Sequence, residues 1–305
     1  MIVVMGEALI DLLVRPDGGI DAAPGGGPFN TARTIARLGQ RVAFAGRLST
    51  DAFGRRLREA LAADGVDLTL VDSTDDPTTL AVVEAGAGGE SGYRFYLEGT
   101  SVPGLGSAVA ERIGRPAALH VGTLGLVLEP LVTTVETAVG SVPTDTLVMA
   151  DLNARPAATP DRAAWVARIE RLLGRVDVVQ ASADDLRWFR PENEPLEVAA
   201  AIVAAGPRLV LVSDGPGPVR IVTSRWTRNV DPPPVEVVDT VGAGDALGGA
   251  FLAAWIGGHR DRERLTDAEA VLEATRFAVR VASMSCSRAG ADPPTSAELA
   301  AWPAG

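Results

Sequence analysis

Apolar positions along the chain fall into two rhythms. Nearly continuous Val/Leu-rich runs recur at 117–121, 146–150, 176–180 and 209–213, the length and composition expected of strands buried on both faces. Between them the apolar residues take helical spacing, at 129–139, 161–173 and 195–205, with an earlier helix at 51–63. Asp161 follows Pro160 as a start signal, and Asp64-Gly65 closes the earlier helix. The opening run from Met1 to Gly6 reads as a first core strand. Alternation of strand and helix predicts an α/β fold, a three-layer sandwich with a mostly parallel central sheet and helices on both faces. A single domain over 1–305 is expected.

Two stretches break the rhythm. Residues 7–14 and 80–97 read as strands separated by glycine-rich turns at Gly18-Gly19 and 86–92, without intervening helices. Segments 80–84 and 93–97 pair naturally as a hairpin. These stretches predict a small projecting β-lid, formed by segments about 7–20 and 78–100. An irregular edge of the main sheet is the alternative. Pro232-Pro233-Pro234 is a stiff connector.

Composition narrows the function. Basic and acidic residues number 28 and 39, a net charge of −11, which argues against a nucleic-acid or anionic-membrane partner. Every basic residue is Arg. Without lysine there is no Walker A loop, Schiff base or protein-kinase lysine. Cys286 stands alone, and His120 and His259 are the only histidines, so a Cys/His zinc site is out. No G-x-S-x-G elbow exists. The N-terminus lacks the basic start of a signal peptide, and no apolar run approaches ~18 residues. A cytoplasmic protein is expected.

The most informative segment is Asp239-Thr-Val-Gly-Ala-Gly-Asp245, which leads into an apolar helix. Gly242 and Gly244 permit a tight turn that aims successive N–H groups at one spot, at a helix N-terminus that favours an anion. Asp245 on that turn either takes a proton from an attacking hydroxyl or caps the helix. A dinucleotide fingerprint fits worse, for want of a third small residue and of a preceding first strand. The second segment, Gly25-Gly26-Gly27-Pro28-Phe29-Asn30, allows close backbone approach to a ligand. Asn30 offers both donor and acceptor for sugar hydroxyls, or else caps a first turn.

Together these segments make the chain resemble the ribokinase-like sugar kinases of the phosphofructokinase-B family, from Gly6 to about Pro294. Residues 25–54, ending Gly46-Arg-Leu-Ser-Thr-Asp-Ala-Phe-Gly54, look like the family's N-terminal signature; residues 239–245 look like its C-terminal one. The resemblance implies a ribokinase-like fold that binds ATP, Mg2+ and a small sugar. It makes Asp245 the catalytic base and the N–H groups of Gly242, Ala243 and Gly244 an anion hole. Asp11, Gly26, Gly27 and Asn30 match sugar-binding positions. Ser182 and Asp185 stand in the family's Asn-x-x-Glu motif, both altered, with Asp185 acting indirectly on magnesium. Ser213 and Gly215 match the nucleotide loop, where Pro218 replaces a glycine.

The motifs look most like the fructokinase branch. The neighbouring 2-keto-3-deoxygluconate kinases carry an acid-recognising arginine where this chain has Leu97, so a neutral sugar, fructose, is favoured. Arg94 and Arg155 are the remaining candidates for binding substrate, including a carboxylate. In many relatives a potassium ion lies between two loops. The matching positions are Asp239, Val241, Ser285, Arg288 and Gly290; the alternative is that Asp239 only shapes the turn. A homodimer through the lid is a further expectation. The rival readings are a nicotinamide-dependent oxidoreductase using Gly242–Gly244 and a sugar-binding regulator that has lost catalysis.

Overall fold

A computed structural model of the chain describes residues 1–15, 17–85 and 91–302. In chain order the strands are β1 (Ile2–Met5), β2 (Leu9–Val14), β3 (Ile20–Gly25), β4 (Val42–Ser49), β5 (Val71–Thr74), β6 (Leu80–Ala85), β7 (Ser91–Tyr96), β8 (Ala118–Gly122), β9 (Leu147–Asp151), β10 (Val178–Ser182), β11 (Leu209–Ser213), β12 (Val219–Thr223) and β13 (Thr227–Val230). The helices are α1 (Gly27–Arg37), α2 (Ala52–Ala63), α3 (Ala108–Ile113), α4 (Leu131–Ser141), α5 (Arg162–Leu173), α6 (Ala183–Phe189), α7 (Pro195–Ala204), α8 (Ala243–Gly257), α9 (Ala268–Cys286) and α10 (Ser296–Ala301).

Strand composition explains the layering. In β1 successive side chains point to opposite faces and all four are buried: Ile2 and Val4 join a core with α1, α2, α8 and α9, while Val3 and Met5 join one with α3, α4, α5 and α7. A strand apolar at every position therefore needs helices on both sides, and it has them. The main sheet runs β13-β12-β11-β10-β9-β8-β1-β4-β5, parallel from β11 to β5. β12 and β13 extend it antiparallel, an addition that the buried-run pattern did not disclose.

Helix starts follow the local signals. Asp51 caps α2 through the Gly54 amide at 2.7 Å, and Asp161 caps α5 through the Ala164 amide at 2.9 Å. β1 pairs with β4 on one side and β8 on the other, so the chain reverses direction across the sheet there. The crevice beyond the strands' C-terminal ends at such a point is where ligands bind in open α/β sheets.

The two irregular stretches form a separate four-stranded sheet, β3-β2-β6-β7, and not an irregular edge of the main one. β2 and β6 are parallel and the other pairs antiparallel, with β6 and β7 making the expected hairpin. The lid extends past the expected segment, because residues up to Gly25 continue as β3. Part of the expected turn, 86–90, lies outside the described residues.

Candidate active site

A cavity of about 310 Å³ opens where the lid meets the C-terminal ends of β1, β8 and β9. Its walls include Glu7, Asp11, Asn30, Phe95, Arg155 and Asp245. Glu7 sits on the connector from β1 to the lid, Asp11 on β2, Asn30 in the first turns of α1 and Asp245 in the first turn of α8. Bringing α1 to α8 requires small residues at the crossing: a Cβ on Gly249 would lie 2.9 Å from Thr34 Cβ. Asn30 Nδ2 then donates to Asp245 Oδ2 at 2.8 Å, and Thr31 Oγ1 reaches the Asp245 carbonyl at 3.4 Å.

These contacts decide two alternatives. The N-cap of α1 is Gly26 and that of α8 is Gly242, each without a side-chain cap bond. Neither Asn30 nor Asp245 caps its helix. Asp245 is 7% exposed; burial raises its pKa, opposed by the Asn30 hydrogen bond and then by the charge of Arg155. That places a carboxylate of enhanced basicity on the cavity wall.

Gly242 adopts φ 76, the left-handed conformation that starts α8. Of the three expected anion-hole amides, that of Ala243 already donates to the Thr240 carbonyl at 3.2 Å. The amide turn tightens the loop, which leaves Gly242 and Gly244 as the free donors of the expected set. The Gly244 carbonyl accepts from Gln180 Nε2 at 2.8 Å, and the same Nε2 reaches Asp151 Oδ2 at 3.2 Å.

The chain matches the pfkB family carbohydrate kinases over residues 1–298. It belongs to that family. It is 34% identical over 258 residues to a fructokinase of Rhizobium leguminosarum bv. trifolii, covering 83% of this chain and 79% of the relative. It is 30% identical over 312 residues to probable fructokinase-5 of Arabidopsis thaliana, covering 98% and 95%. Among solved structures it superposes on a fructokinase with bound ATP from Xylella fastidiosa with a TM-score of 0.88 at 26% identity, over 98% of this chain and 97% of that one. A Vibrio cholerae O395 fructokinase double mutant, in fructose, ADP and potassium ion bound form, gives the same TM-score, identity and coverage. The ribokinase-like fold is thus shown, and membership of a carbohydrate kinase family replaces the oxidoreductase reading of Gly242–Gly244.

Of the residues expected to bind sugar, Asp11, Gly26, Gly27, Asn30 and Arg155 all line the cavity. Burial raises Asp11 to about 6, helped by the negative charge of Asp245 and opposed by Arg155. Arg94 is not brought in. It lies exposed on β7, where alternation turns Phe95 to the cavity and Arg94 away. Leu97 packs with Leu9, Ala81 and Leu124 between lid and sheet.

Beyond the cavity, Ser182 and Ser213 are paired in register at the ends of β10 and β11, and Gly215 turns with φ 52. Asp185 closes a capping box on α6: its Oδ2 accepts from the Ser182 amide and hydroxyl, both at 2.7 Å, and its Oδ1 from the Ala154 amide at 2.7 Å. Asp239 bridges two loops, Oδ1 accepting from the Val241 amide at 3.0 Å and Oδ2 from Gly290 at 2.9 Å. The second loop is clamped from behind by Arg33, which donates to the Ala291 carbonyl at 3.2 Å. Among the described residues no cluster of three or more His, Cys, Asp or Glu suits a metal ion.

Several site residues escaped sequence reasoning. Glu7 and Asp151 are both nearly wholly buried; burial raises Glu7 to about 8 and, with the charges of Asp245 and Asp185, lifts Asp151 well above its ordinary value. Thr123 and Asn153 hold φ of 52 and 31, left-handed values that cost a non-glycine residue energy, and Asn153 Nδ2 donates to Thr123 Oγ1 at 3.2 Å. The available signal was position: Thr123 directly follows β8 and Asn153 lies two residues past β9.

Proposed function

We propose that the protein is an ATP-dependent fructokinase acting in the cytoplasm. The hydrogen-bonded Asn30–Asp245 pair at the foot of a sugar-sized cavity, beside the free amides of α8, carries this reading. Asp245 accepts the proton of a sugar hydroxyl as its oxygen attacks the γ-phosphorus. The Gly242 and Gly244 amides face the charge on the transferring phosphoryl group, which asks the protein for positioning and electrostatics more than for covalent chemistry. Magnesium bound with the nucleotide would supply positive charge that offsets the charge of the phosphates. Asp185, with Oδ2 occupied by the capping box and Oδ1 by the Ala154 amide, acts on it only indirectly. Ser182, Ser213 and Gly215 flank the nucleotide.

Fructose is favoured over a sugar acid by the charge of the cavity. Asp11 and Asp245 line it against Arg155 alone among the described cations, and Arg94 faces away. A potassium site formed by Asp239 with carbonyls of Val241, Ser285, Arg288 and Gly290 suits hard oxygen donors, and the Asp239–Gly290 bond already joins the two loops. The whole chain serves as one kinase domain. Leu13, Ile20 and Tyr96, exposed apolar residues on the lid, support a homodimer formed through it. Retention of Asp245 and the free amides supports catalysis over a purely regulatory role.

ADP release by the purified protein across sugars, sugar acids and nucleosides tests the reading. Fructose should give the highest kcat/KM, with 2-keto-3-deoxygluconate at least about tenfold lower, the worth of roughly 1.4 kcal/mol. A sugar acid at the top would overturn the neutral-sugar assignment and make Arg155 a carboxylate ligand.

A further inference from the structure

Glu7 has no part in the proton transfer, yet its carboxyl is the most completely buried on the cavity wall, at 1% exposed. Oε1 is anchored: the Gly27 amide at the start of α1 donates to it at 3.2 Å. Oε2 is buried with no hydrogen-bond partner. The backbone leaves Glu7 little freedom, because Gly26, at φ 107, packs so closely that a Cβ there would stand 2.9 Å from the Glu7 carbonyl oxygen. A buried polar atom without a partner is costly, and such atoms in native folds are normally satisfied by something that binds.

Resting on the fructokinase reading, we infer that Glu7 is a sugar-binding residue that presents Oε2 to a hydroxyl of the bound sugar while Oε1 holds Gly27 in place. It binds as the undissociated acid, donating O–H to the sugar oxygen. The reason lies in its surroundings. Asp245 on α8 must be ionised to act as base, and Asp11 on β2 and Asp151 at the end of β9 add further carboxyls; only Arg155, after β9, opposes them. A second buried anion beside Asp245 is disfavoured, and burial, helped by the charge of Asp245 and opposed by backbone hydrogen bonds and Arg155, already moves Glu7 to about 8. Sugar in the cavity displaces water and stabilises the neutral form further, so sugar binding and Glu7 ionisation oppose each other.

The sugar for the test is the one most rapidly phosphorylated in the panel above, so failure of the fructose reading is seen before Glu7 is tested. Its binding to the nucleotide-free protein is then measured by calorimetry from pH 6.5 to 9.5. Kd for the unaltered chain should rise about tenfold between pH 7 and pH 9 as Glu7 ionises. Glu7→Gln keeps an acceptor for Gly27 and a donor for the sugar. Its Kd at pH 7 should stay within about threefold of wild type, well under the 1.4 kcal/mol of a tenfold change, and should be flat to pH 9. Glu7→Leu keeps bulk but no donor and should weaken sugar binding about tenfold or more while leaving the ATP KM alone. A flat Kd in the unaltered chain, or a Glu7→Gln protein that keeps the rise, would overturn the assignment and leave Glu7 as a brace for α1. Should Glu7→Leu fail to fold, the Gln comparison decides alone.

Discussion

On the proposed sugar side of the cleft the cavity is lined by side chains, Glu7, Asp11, Asn30, Arg155 and Asp245, drawn from five separate segments and mostly buried. On the proposed phosphate side the donors are main-chain ones, the amides of Gly242 and Gly244 at the start of one helix. Side-chain carboxyls carry a protonation state that burial can tune, as the raised values of Glu7 and Asp11 show. Backbone amides carry none, and their strength is geometric. The sugar side should therefore answer to pH and charge, the phosphate side to conformation.

The largest effect should come from the one side chain that serves both halves. Asp245→Asn should fold and bind ligands yet lose roughly 10²–10⁴ in kcat, the usual worth of a general base. Unchanged turnover in the folded variant would dissolve the distinction between the halves. Next is Gly242→Ala, which alters no charge. It forces a side chain into φ 76 with its Cβ 2.6 Å from that of Ala291, so the first amides of α8 must move. A fall in kcat of about tenfold or more is expected, since one misplaced donor of this kind is worth roughly 10²–10³ when lost outright. Steady-state kinetics with a melting curve for each variant check both.

Smaller is the cation effect. At matched ionic strength and magnesium, kcat in potassium should exceed kcat in tetramethylammonium about two- to tenfold, up to ~1.4 kcal/mol of barrier, if the proposed ion between the loops that Asp239 joins steadies the same amides. Equal rates would leave Asp239 as a residue that shapes its turn.

The smallest effect is on stability, and it belongs to the sugar side alone. Folded Glu7 and Asp11 titrate near 8 and 6, above their ordinary 4.5 and 3.8. Stability from their bound protons is full below the ordinary values and is lost as pH rises through the folded ones. His120, buried and lowered to about 4, works in the opposite sense, but only below about pH 6.5. The ligand-free protein should melt at a lower temperature at pH 8.5 than at pH 6.5, and Glu7→Gln should remove most of the difference. Melting temperatures that rise over this window would contradict the burial-driven shifts.

The uneven legibility of the two halves has the same origin. The proposed phosphate side is local: glycines, an acidic residue and an apolar helix lie within a few positions from Asp239 onward, so the sequence by itself determined the turn and the helix start and pointed to Asp245 as a candidate base. It also determined the buried strands, because β1 and β8–β11 are apolar at successive positions, a pattern only two flanking layers can bury. What local spacing leaves open is which strand ends meet. Tertiary structure decided that Arg94 faces away while Phe95 lines the cavity, and that Leu97 packs against the sheet. It alone brought Asn30 to Asp245, Asn153 to Thr123 and Gln180 to Asp151. It alone buried Glu7 beside Gly27. Protonation depends on the water removed and the charges nearby, and both are set by segments far apart in the chain, which no local pattern encodes.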